Sequence, residues 1–131
     1  MSENNFILDP SRFDEFLELG EKDGCELILQ LIEMYKETVP ERLALMRQHM
    51  DKSDFEKVSK EAHTLKSTGG NLGGKELQTV CAELESVAQQ STDNKLIQGL
   101  VDKVCHAHDR LLPELAKTHD TFSNRLKAKA A

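Results

Sequence analysis

Apolar residues recur along this chain at intervals of three and four, the spacing that puts them on one face of an α-helix. The clearest run is Ile28, Ile32, Tyr35, Val39, Leu43, Met46 and Met50, with steps of 4, 3, 4, 4, 3 and 4. It keeps its phase through Pro40, which predicts one long helix kinked at the proline rather than two helices. Upstream, Asp9-Pro10 suits an N-cap and a first helical position, opening a short helix with Phe13, Phe16 and Leu17 that ends near Gly20 or Gly24. Downstream, Ser53-Asp54-Phe55-Glu56 reads as a capping box. It starts a helix with Phe55, Val58, Ala62 and Leu65 turned inward, stopped by Gly73-Gly74. Leu77, Val80, Cys81, Leu84, Val87 and Ala88 mark the next helix. Ser91-Thr92-Asp93 caps a last one carrying Leu96, Ile97, Leu100, Val101, Val104, Leu111 and Leu115, which Pro113 is expected to kink or shorten. No alternating run or Asn-Gly or Asp-Gly hairpin competes with this reading.

The expected fold is all-α: an antiparallel four-helix bundle with a short additional N-terminal helix, since short connections make consecutive helices antiparallel neighbours. A chain of 131 residues suits a single domain. Its core is expected over about 8–116, with a frayed tail over about 120–131. Met34, Met46 and Met50 read as bundle packing.

Charge narrows the function classes. Seventeen Lys and Arg against 23 Asp and Glu leave a net −6, without the basic excess that a nucleic-acid partner requires. No apolar run approaches the roughly 18 residues of a membrane span, and the start, MSENNFILD, lacks a signal core. The expected setting is the cytoplasm, with Cys25, Cys81 and Cys105 reduced. The initial Met and one-domain length suggest a free-standing module, and one bundle that buries its own stripes suggests a monomer.

Chemistry concentrates in AHTLKSTGGNLGG, residues 62–74. At about 100° per residue with His63 at zero, Phe55, Val58, Ala62 and Leu65 cluster around roughly 200–280°. Glu56, Ser59, Lys60, Lys66, Ser67 and Gly70 fall within about 60° of His63. The imidazole therefore faces solvent, with Lys66 and Ser67 one turn on. Gly69 and Gly70 each cost a helix roughly 1 kcal/mol relative to Ala. Gly69 lies toward the core, where it permits close packing. Gly70 lies in line with His63, where a missing side chain leaves a flat surface for an approaching protein. A neutral imidazole is a competent nucleophile near pH 7. A lysine one turn away stabilises a phosphoryl group placed on it, and little further covalent machinery is needed.

The segment His63 to Glu85, HTLKSTGGNLGGKELQTVCAELE, resembles the signature of histidine-containing phosphotransfer (HPt) domains of two-component phosphorelays. The pattern is met by His63, Leu65, Lys66, Gly70, Leu72, Gly73, Leu77, Cys81, Leu84 and Glu85. Weaker periodic similarity runs from about residue 8 to 116. The resemblance implies His63 as phosphoacceptor through Nε2, Lys66 as its electrostatic partner, and Gly70 as an opening for docking. It implies a carrier without autokinase activity, which takes a phosphoryl group from one receiver-domain aspartate and gives it to another. The partners would be response-regulator receiver domains, with a hybrid sensor kinase as a further candidate. No cofactor is expected on the chain itself, magnesium being expected on the partner receiver. One position departs: Ser67 stands where the family usually has glycine, a small residue able to hydrogen-bond a phosphoryl oxygen or the imidazole.

Ser59, Lys60, Ser67, Gly70 and Gln78 are the candidate docking residues, Lys60 reading equally as a solvated surface lysine. Gln78 is also a candidate to orient the His63 ring from the next helix. Cys105-His106-Ala107-His108-Asp109 resembles a metal site at first sight. It lacks a second ligand pair, so a core thiol and surface histidines are the default. The competing functions are a scaffold that docks a receiver and transfers nothing, and a metal-dependent enzyme or sensor built on His106 and His108.

Overall fold

The computed structural model describes residues 6–130, with side chains up to residue 128. It is all-α, with no strand among the described residues. Helix α1 spans Ser11–Leu17, α2 Glu21–Asp51, α3 Phe55–Asn71, α4 Lys75–Gln90 and α5 Asn94–Ala130. Helices α2 to α5 form the four-helix bundle, each packed on two others: α2 on α3 and α5, α4 on α3 and α5. Links across α2 and α5 run in opposite chain directions, from Glu21–Arg125 through Glu33–His119 and Tyr35–His108 to Arg47–Asp102.

The apolar periodicity is the core. Ile28, Ile32, Tyr35, Val39, Leu43, Met46 and Met50 are all buried, and α2 continues through Pro40. Val58, Ala62 and Leu65 join them from α3, Leu77, Cys81, Leu84 and Ala88 from α4, and Ile97, Leu100, Val101, Val104, Leu111 and Leu115 from α5. Each of the larger aliphatic side chains contributes about 1.5–3 kcal/mol by leaving water. Gly69 serves the packing as expected: a Cβ there would stand 2.9 Å from Leu77 Cδ2.

Helix starts differ from expectation by a residue. Asp54, not Ser53, caps α3, its carboxylate accepting from Lys57 N. Ser53 has φ +53° and belongs to the turn. Asp9 stands one position further out than a cap, its carboxylate accepting from the amide and hydroxyl of Ser11. Around it the N-terminal segment is tied to the α3–α4 turn, through Asp9 N to Gly73 O (2.8 Å) and Arg12 Nε to Asn71 O (2.9 Å). A Cβ on Gly73, at φ +80°, would stand 2.6 Å from Asp9 O.

The C-terminal expectation is overturned. Helix α5 passes through Pro113 and runs to Ala130, so most of the stretch expected to fray is helical; residue 131 lies outside the described residues. Phe122 is buried with its ring centroid 5.7 Å from that of Phe13, and Arg125 pairs with Glu21. These contacts exist because α1 covers the end of the bundle that α5 reaches. Two apolar expectations also fail. Met34 and Leu96 are exposed, at the outer edge of stripes whose inner positions are filled by Tyr35 and Ile97.

Candidate functional site

Helices α3 and α4 carry the site. His63 sits mid-α3 with its side chain 62% exposed, since the core face of this helix is filled by Val58, Ala62 and Leu65. Its Nδ1 lies 2.7 Å from Oε2 of Glu85 on α4. Lys66 Nζ donates to the other oxygen, Oε1, also at 2.7 Å. Glu85 thus accepts from the imidazole and the ammonium together.

Glu85 is fixed twice over. Its backbone carbonyl accepts from the Ser59 hydroxyl at 3.0 Å, which ties α4 to α3 at this level. Its carboxyl is held below the ordinary carboxylate range by the hydrogen bond from Lys66 first, which outweighs the cost of burial, with His63 adding a smaller pull in the same direction. It is therefore ionised near neutrality. An ionised carboxylate can only accept, so the His63 nitrogen facing it carries the proton. In the neutral ring this leaves the lone pair on Nε2.

The other candidates sort by position. Ser59 is only 4% exposed and spends its hydroxyl inside the helix pair, so it does not stand on the docking face where it was expected. Lys60 is well exposed and 3.5 Å from Glu56 one turn back, a solvated pair. Ser67 is exposed. Gln78 is exposed but lies against Gly70 rather than orienting the ring: a Cβ on Gly70 would stand 2.6 Å from Gln78 Nε2. The flat surface expected at Gly70 is thus partly covered by an amide from α4, for which the glycine makes room.

Glu85 is the residue of the candidate site whose place the sequence did not show. It was part of the quoted pattern, and its place beside the core residue Leu84 puts it at the edge of the α3–α4 interface. What could not be read was the helix–helix register that brings it to His63.

Around Cys105, His108 is buried rather than on the surface, 2.7 Å by its Nδ1 from the Tyr35 hydroxyl. Burial pushes its pKa below the ordinary imidazole value, against the pull of Asp109. Among the described residues no group of three or more His, Cys, Asp or Glu is arranged to hold a metal ion. The thiols of Cys81 and Cys105 are pushed up by burial, Cys81 to about 12, so both stay protonated near neutrality. No helix among the described residues is long and apolar enough to cross a membrane.

Comparison with known proteins bears on the chain as a whole. Residues 30–120 match the family model of the Hpt domain. The chain is also similar to Multistep phosphorelay regulator 1 of Schizosaccharomyces pombe (strain 972 / ATCC 24843), with 26% identity over 80 residues. That stretch is 61% of this chain and 27% of the yeast protein, so the chain corresponds to about a quarter of that relative. No solved structure matches.

Proposed function

The chain belongs to the Hpt domain family, and from that premise we propose that it is a phosphorelay intermediate with His63 as the carrier. The phosphoryl group arrives from a phosphorylated aspartate on one receiver domain and leaves to an aspartate on another. The observation that carries this reading is the ring's arrangement: largely exposed, with Nδ1 held by Glu85 and Lys66 beside it.

The chemistry balances with these groups alone. The Nε2 lone pair forms a bond to phosphorus while the bond from phosphorus to the aspartyl oxygen breaks, its electron pair staying on the carboxylate. Nδ1 keeps its proton throughout, so the phosphorylated ring becomes cationic. Glu85, already 2.7 Å away, balances that charge. Lys66 provides positive charge for the phosphoryl oxygens, with donors beyond the one given to Glu85. Gly70 and Lys60 lie on the face where the receiver docks, with Gln78 at its α4 edge. The receiver would supply its own magnesium ion, which screens phosphoryl oxygens. In this reading the chain is a monomeric carrier in the cytoplasm, without kinase activity of its own.

The direct test is phosphorus NMR of the chain after incubation with isolated receiver domains phosphorylated by acetyl phosphate. The expected product is phosphohistidine substituted at Nε2. Substitution at Nδ1 would contradict the role given to Glu85.

A further inference from the structure

We propose that Ser67 is a phosphoryl-binding residue: its hydroxyl donates a hydrogen bond to an oxygen of the phosphoryl group on Nε2 of His63. This rests on the reading of His63 as phosphoacceptor and assigns the contact that holds the group there.

The two ring nitrogens face different surroundings. Nδ1 is turned to α4, where Glu85 takes it and also holds Lys66. Nε2 is turned away from α4. The groups nearest His63 on that flank of α3 are Ser67, at about 40° on the helical wheel, Lys60, at about 60°, and, two turns back, Glu56, at about 20°. Lys60 is drawn to Glu56, and both side chains stand mostly in water. Ser67 is one turn beyond His63, where Cβ atoms are about 5–6 Å apart. Both side chains lean the same way along the helix, which keeps the Ser67 hydroxyl and the His63 ring neighbours on one face. In this proposal the phosphoryl group on Nε2 bridges the ring and the Ser67 hydroxyl.

The hydroxyl is also available. Serine and threonine in a helix commonly donate to the carbonyl four residues back. Thr64 does so to Lys60 (3.3 Å) and Thr68 to Thr64 (3.0 Å), while Ser59 donates to Glu85. No hydrogen bond occupies Ser67 among the described residues. Its proton is free for an anionic oxygen, a charge-assisted bond stronger than the one it makes to water. Ser67 keeps its proton and none of its covalent bonds changes; only the N–P and P–O bonds at His63 and the partner aspartate do.

A donor that meets the phosphoryl group only when it is on His63 favours the phosphorylated form of this chain. The experiment mixes wild type, Ser67→Ala and Ser67→Thr with an isolated phosphorylated receiver, and follows label in both directions to equilibrium. Alanine is a strong helix former, so that variant folds. Ser67→Ala is expected to move the partition toward the receiver by about three- to tenfold, the scale of one exposed charge-assisted hydrogen bond. The shift should appear mainly as faster return, and Ser67→Thr should restore it. If wild type labels but both variants partition as it does, the assignment is overturned. Equal slowing of both directions with an unchanged partition would also overturn it, because Ser67 would then act in docking. If wild type takes no label from any of several receivers that bind it, the phosphoacceptor reading fails first, and the Ser67 assignment fails with it.

Discussion

At the scale of single residues, the site is two side chains on one carboxylate. Glu85 joins His63 to Lys66 and sets which ring nitrogen is free. Replacing it tests whether that arrangement matters to transfer. Glu85→Ala should slow phosphoryl transfer on the order of tenfold, the scale of one lost hydrogen bond between charged groups. Glu85→Gln should lose less, because its amide oxygen still accepts from Nδ1. Single-turnover transfer from a phosphorylated receiver measures both, and wild-type rates in Glu85→Ala would remove Glu85 from the mechanism. His63 and its solvent-facing position were legible in the sequence, with Lys66 one turn on, since a wheel with a filled core face leaves the imidazole nowhere else. Glu85 was not, because pairing across helices depends on a register that one sequence does not print. Ser59 misled for a related reason. Its angle placed it near His63, but the neighbouring helix buried it under the Glu85 carbonyl.

At the scale of the helices, the glycines show what a neighbour decides. Gly69 and Gly99 both lie within helices, but a Cβ on Gly69 would press on Leu77 at 2.9 Å, while one on Gly99 would meet nothing within 4 Å. Gly99→Ala should therefore stabilise by about 1 kcal/mol through helix propensity. Gly69→Ala should fall short of it by at least about 1 kcal/mol, because buried Leu77 must move. Urea unfolding with unchanged m-values measures the pair, and equal gains would show that Gly69 is not a packing requirement. The long helix through Pro40 was readable because its apolar phase never slipped. The extension of α5 past Pro113 was not, because its anchors, Phe13 and Glu21, lie about a hundred positions away in sequence.

At the scale of the molecule, the bundle is closed by polar links as well as by apolar burial. Tyr35 and His108 join α2 to α5 inside the core. Burial lowers the His108 pKa below its ordinary value of 6.5. The sign follows: its contribution is fully present above the unfolded pKa and is lost as pH falls through the lower folded pKa. Thermal unfolding should lose more stability between pH 7.5 and pH 5 in wild type than in His108→Gln. An equal loss would mean that His108 does not couple folding to protons. The bundle's central role, in the function proposed, is to hold His63 exposed on a surface that does not need it for folding. The measurement that tests this most directly follows label from a phosphorylated receiver to wild type and to His63→Gln, both checked for equal helix content and receiver binding. Label on wild type alone, stable in alkali and lost in acid, is the predicted result. Label on His63→Gln at the wild-type rate, or on neither chain while both bind, would contradict it, and the second outcome would leave a receiver-docking scaffold.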